Sequence, residues 1–122
     1  MSKIIVVDDS ATMRQQVKQA LTPAGFDIVE AVDGRDGFNK VQADAAIDIM
    51  ILDVNMPRMN GIELVEALNK EGRVQKGLKV VMLTTEGHAE LIQRAKAAGA
   101  KGWMVKPFKP EMLLAAVQKM AV

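Results

Sequence analysis

Short apolar runs alternate along this chain with longer stretches that carry their apolar residues at helical spacing. Ile4–Val7, Ile49–Leu52, Val80–Leu83 and Trp103–Val105 are the most apolar of the runs. Runs this short, rich in Val and Ile and separated by helical stretches, predict buried strands of a parallel sheet. Asp27–Ala31 is half-polar, as expected of a strand at a sheet edge, and the third strand is predicted to begin at Ile47. Between the strands, Ser10 can cap a first helix that turns Met13, Val17, Ala20 and Leu21 inward, with Pro23 and Gly25 ending it. Asp33-Gly34 turns the chain into a second helix reaching about Ala45. Gly61 to about Lys70 predicts a third, with Ile62, Leu64, Val65 and Leu68 on its apolar face, and Glu71–Gly77 a polar loop. Ala89–Ala98 predicts a fourth helix ending at Gly99, and Pro110–Met120 a fifth, with proline at its first position.

The order βαβαβαβαβα with short connections predicts an α/β fold. Right-handed crossovers leave few topologies, of which a doubly wound five-stranded parallel sheet with five helices on its two faces fits best. The chain has 122 residues, 49% of them hydrophobic, which suits one domain over residues 1–122. A net charge of +1, from 16 basic and 15 acidic residues, argues against a nucleic-acid surface. The absence of cysteine removes disulfide and thiol chemistry and fits a reducing compartment. A strand within three residues of the N-terminus leaves no room for a signal peptide, and no apolar run approaches the ~18 residues of a membrane span. The expectation is a soluble, cytoplasmic, monomeric domain with no nucleic acid and no membrane insertion.

The strand ends carry the chemistry. The first strand runs into Asp8 and Asp9, the third into Asp53, the fourth into Thr84 and the fifth into Lys106. In open parallel sheets ligands bind beyond the carboxyl ends of the strands. If the sheet order is 2-1-3-4-5, taken over from flavodoxin-like folds rather than derived, the first and third strands are neighbours at the switch point. Three carboxylates that close repel one another unless a cation intervenes. A hard divalent ion such as Mg²⁺ suits an all-oxygen site and takes one or two carboxylates plus phosphate. Lys106 could grip a phosphoryl oxygen and Thr84 could donate to another. Taken singly, each residue has an ordinary explanation as a helix cap or a surface charge. Mutually compatible groups at four strand ends are harder to explain that way.

These residues also carry a family resemblance. Val6-Val7-Asp8-Asp9-Ser10, Leu52-Asp53-Val54-Asn55-Met56-Pro57-Arg58-Met59-Asn60-Gly61, Leu83-Thr84-Thr85-Glu86 and Val105-Lys106-Pro107-Phe108 together resemble response-regulator receiver domains over essentially the whole chain. Among these, the chain is most similar to single-domain CheY-type chemotaxis proteins. The resemblance implies that Asp53 is the phosphoacceptor, taking its phosphoryl group from the phosphohistidine of a histidine kinase. It implies that Asp8, Asp9, Asp53 and the backbone carbonyl of Asn55 hold Mg²⁺, and that Lys106 pairs with Asp53 and later with the phosphoryl group. Thr84 and Trp103 would be the switch residues, although family members usually carry Tyr or Phe at the latter position. Asn55 and Glu86 would tune dephosphorylation, and Thr85 stands where a small residue is common. His88 is expected to be exposed near the start of the fourth helix. A face of the fourth helix, last strand and fifth helix, with Ile92, Lys96, Trp103, Val105 and Lys119, would bind a target protein such as the flagellar motor switch. Met112, Leu113, Leu114 and Met120 are expected to pack inward. A phosphatase is a further implied partner.

Two enzyme or cofactor readings compete. An Asp-nucleophile phosphatase needs an acid two residues after the nucleophile, where this chain has Asn55, and usually a cap domain. A flavodoxin-like cofactor site would want an uncharged phosphate loop where Asp8-Asp9-Ser10 stands. With nothing after the fifth helix, output is expected through binding another protein, as a signalling switch rather than a separate-substrate enzyme. A phosphorelay intermediate or phosphate sink is the alternative role.

Overall fold

The computed structural model describes residues 3–54, 60–73, 76–84, 89–106 and 108–120. The strands are β1 (Lys3–Val7), β2 (Asp27–Ala31), β3 (Ile47–Asp53), β4 (Lys79–Thr84) and β5 (Gly102–Val105). The helices are α1 (Ala11–Leu21), α2 (Gly34–Ala43), α3 (Gly61–Lys70), α4 (Ala89–Ala97) and α5 (Pro110–Met120). All strand pairs are parallel and the sheet order is β2-β1-β3-β4-β5. The fold is the doubly wound one that the alternation of runs predicts.

Strand side chains alternate between faces, and each face builds its own core. Ile5, Val7, Met50, Leu52, Val80 and Met82 pack with α2, α3 and α4. Their neighbours Ile4, Val6, Ile49, Ile51, Val81 and Leu83 pack with Val17 and Leu21 of α1 and Leu113 and Val117 of α5. Burial on both faces is why these strands read as continuous apolar runs rather than as alternating ones.

Local signals set the helix ends. Ser10 accepts from the Met13 N–H and starts α1. A 3₁₀ turn over Thr22–Ala24 and a left-handed Gly25 (φ 91°) turn the chain into β2. Asn60 and Glu63 form a reciprocal capping box at α3. Three expectations need correction. Helix α2 stops at Ala43, because Asp44 leaves helical geometry, accepts from Ala46 N–H and pairs with Lys3 at 2.5 Å. Strands β3 and β4 run one residue further than predicted, so Asp53 and Thr84 are strand residues held by the ladder. Met112 does not pack inward: it is 57% exposed in the first turn of α5, whereas Leu113 beside it is buried.

Candidate functional site

Strand register brings the predicted tips together. Val7 pairs with Leu52, Asp53 with Leu83 and Thr84 with Val105, so Asp8, Asp53, Thr84 and Lys106 all lie at the carboxyl edge of the sheet. Backbone bonds continue past the ladder, from Asp8 N–H to the Ala31 carbonyl (3.1 Å) and from Lys106 N–H to the Thr84 carbonyl (2.6 Å). One carboxylate oxygen from each of Asp8, Asp9 and Asp53 lies within 4.8 Å of the others. Asp8 and Asp53 are buried and Asp9 is exposed, so the cluster has a closed floor and an open mouth. Lys106 Nζ lies between the two buried acids, 3.3 Å from Asp8 Oδ2 and 3.2 Å from Asp53 Oδ1. An all-oxygen set of this compactness can hold a hard divalent cation, and magnesium fits it.

Glycine makes the site possible. A Cβ on Gly61 would sit 2.3 Å from the Asp53 carbonyl oxygen, 2.8 Å from Leu52 Cδ1 and 3.0 Å from Val54 Cα. Only glycine lets the start of α3 lie against the tip of β3, where its N–H donates to the Val54 carbonyl at 2.9 Å.

Burial pushes the Asp8 carboxyl above its ordinary range, and Asp53 adds to the push. The Ser10 N–H and Lys106 pull it the other way without reversing the outcome. An acid raised in the folded state contributes most stability when protonated, and that contribution is lost as pH rises through its folded-state pKa. Asp8→Asn is therefore expected to melt above wild type at neutral pH without metal. The gain should shrink as pH falls toward the ordinary Asp range, where wild-type Asp8 is protonated too. Thermal melts across that range check it, and a gain that grows on acidification would contradict it.

Trp103 is half-buried and packs against the core shared with α2, α3 and α4. Its indole N–H is buried and has no acceptor among the described residues. Lys96, Val105 and Lys119 are exposed on α4, β5 and α5. Ile92 lies on α4, but its side chain is outside the described residues. So are Asn55, Thr85, Glu86, His88 and Pro107. The sequence reading missed three features: the second partner of Lys106, the close approach at Gly61, and an arginine one turn into α1. The Asn60-Gly61 pair was a possible signal for the second, because a helix-opening glycine just past an acidic strand tip implies tight packing.

The model of the response regulator receiver domain family matches residues 4–118. The chain belongs to the response regulator receiver family. This receiver is 40% identical over 112 residues to chemotaxis protein CheY1 of Helicobacter pylori, covering 91% of this chain and 90% of the relative. It is 32% identical to chemotaxis protein CheY of Thermotoga maritima, over 98% and 97% of the two chains. The solved structure of the Vibrio cholerae chemotaxis response regulator CheY4 matches the receiver with a TM-score of 0.89 at 44% identity, over 98% of each chain. The receiver is thus a CheY-like domain of two-component signalling. None of its helices among the described residues is long and apolar enough to cross a membrane.

Proposed function

We propose that this receiver is a phosphorylation-dependent switch whose acceptor is Asp53. The observation carrying this reading is the clustering of Asp8, Asp9 and Asp53 with the Lys106 ammonium 3.2 Å from Asp53. An Asp53 carboxylate oxygen attacks the phosphorus of a kinase phosphohistidine. A P–O bond forms, the P–N bond breaks, and the imidazole leaves with the electron pair and takes a proton. Mg²⁺ held by Asp8, Asp9 and Asp53, with the Asn55 carbonyl, would neutralise charge on the transferring group. Lys106 exchanges its carboxylate contact for a phosphoryl oxygen, and Thr84, buried at the end of β4, turns its hydroxyl to another.

The switch reading for Trp103 is supported by its buried indole N–H, which has no acceptor among the described residues, since an unsatisfied buried donor costs about 1–3 kcal/mol. A rotamer change of that side chain would be coupled to Thr84 through the adjoining strands β4 and β5, where Trp103 pairs with Met82 and Val105 with Thr84. It would remodel the α4-β5-α5 face carrying Ile92, Lys96, Val105 and Lys119, which binds a target protein such as the flagellar motor switch. Asn55 and Glu86 would tune dephosphorylation, by the chain itself or with a phosphatase.

The test combines Mg²⁺ and acetyl phosphate with intact-mass measurement and Trp103 emission. Wild type is expected to gain one phosphoryl group and change its emission, and Asp53→Asn to do neither. Equal phosphoryl gain by Asp53→Asn would remove Asp53 as the acceptor.

A further inference from the structure

Arg14 lies one turn into α1 with a side chain only 14% exposed. Its Nη1 donates to the backbone carbonyl of Asp8 at 2.7 Å, and its Nε donates to Glu30 Oε1 on the edge strand at 3.1 Å. That carbonyl belongs to the peptide unit joining Asp8 to Asp9. It lies past the end of β1, and among the described residues no backbone N–H donates to it. Gripping it sets the plane of the peptide, and therefore the direction in which Asp9 leaves the backbone. The other side of the same turn is fixed by Ser10 N–H donating to Asp8 Oδ1 at 2.9 Å. Glu30 is in turn held by Lys18 at 3.2 Å. Lys18, and then Arg14, keep the Glu30 carboxyl below its usual range, so the anchor stays ionised. A planar fork suits this double task, because one group must reach two acceptors in fixed directions.

Given the Mg²⁺ site proposed above, we propose that Arg14 is a positioning residue that fixes the Asp8–Asp9 peptide and thereby orients the exposed Asp9 carboxylate toward the metal. The sign of the effect separates this role from simple charge. Removing a cation close to an anionic pocket should tighten Mg²⁺ binding by Coulomb attraction alone. Loss of orientation should weaken it, and outer partners of metal ligands are typically worth about 10–100-fold in affinity.

The experiment is calorimetric titration of MgCl₂ into wild type, Arg14→Gln and Arg14→Lys. Amide hydrogen exchange of the metal-free proteins runs alongside. Arg14→Gln is expected to bind Mg²⁺ about tenfold or more weakly, and to exchange faster at Asp9 and Ser10 before any metal is added. Arg14→Lys keeps the charge without the fork and should also weaken binding. In an Asp9→Asn background the Arg14 effect should largely vanish, because both act through one carboxylate. Equal or tighter binding by folded Arg14→Gln overturns the inference while leaving the Mg²⁺ site intact. If Arg14→Gln does not fold, unchanged affinity in Arg14→Lys overturns it instead. A wild type that binds no Mg²⁺ removes the proposed site and this role with it.

Discussion

Replacing Lys106 with methionine is expected to destabilise the metal-free receiver by about 2–3 kcal/mol at neutral pH. The ammonium lies within 3.3 Å of two buried carboxylates, and methionine fills similar space without charge. Stripping the cation from an enclosed ion pair costs about 3–5 kcal/mol. The lower figure applies here because exposed Asp9 marks a solvated mouth. Two conditions should shrink the deficit. Acidification does so because Asp8, already raised by burial, takes up a proton and one uncompensated charge disappears. Mg²⁺ does so because it supplies the missing positive charge, and the variant should bind it at least about tenfold more tightly than wild type, a difference of ~1.4 kcal/mol. Urea unfolding at neutral and mildly acidic pH, with and without Mg²⁺, measures all three. A variant as stable as wild type in metal-free neutral buffer would mean that the pocket tolerates its own charge.

Gly61→Ala is expected to cost about 3 kcal/mol or more, beyond the ~1–3 kcal/mol typical of overpacking. The added methyl would meet a carbonyl oxygen and an α-carbon, which cannot turn aside as a flexible side-chain end can. Helix α3 must then back away from β3 and surrender the bond from Gly61 N–H to the Val54 carbonyl. Because the clashing oxygen belongs to Asp53, Mg²⁺ affinity should fall together with stability. Gly77→Ala is the control. Gly77 has φ 105° but no atom of the described residues within 4 Å of an added Cβ. It should lose only the ~1–2 kcal/mol of left-handed strain and leave metal binding unchanged. If both variants unfold at the same urea concentration, steric closeness at Asp53 is not what Gly61 serves.

The runs Ile4–Val7, Ile49–Leu52 and Val80–Leu83 were legible because burial on both faces leaves no polar residue within them, and the polar residues at their tips stand out against that background; Trp103–Val105 was not a fully buried run, since Val105 is 50% exposed. Sheet order was not legible: no feature of Ile4–Val7 says which strand lies beside it, and the order rested on known folds. Within the site, the sequence placed Asp8, Asp9, Asp53, Thr84 and Lys106 at one edge, and the family resemblance paired Lys106 with Asp53 alone. Its second contact, to Asp8, depends on a distance across the sheet that no local pattern encodes. Arg14 was hidden for the same reason, since on α1 it looks like any helical arginine until the Asp8 carbonyl is located. Met112 was misjudged because helical spacing admits it to either face. Asp44 ended α2 early through a partner more than forty positions upstream, Lys3.

The ammonium that balances the two buried acids comes from a residue 98 positions after Asp8. During synthesis, every earlier element of the pocket is made before that counterion. A nascent chain ending before β5 would hold its acids together without the ammonium that bridges Asp8 and Asp53. Closure of the domain and balancing of its acidic pocket are therefore expected to arrive in the same folding step.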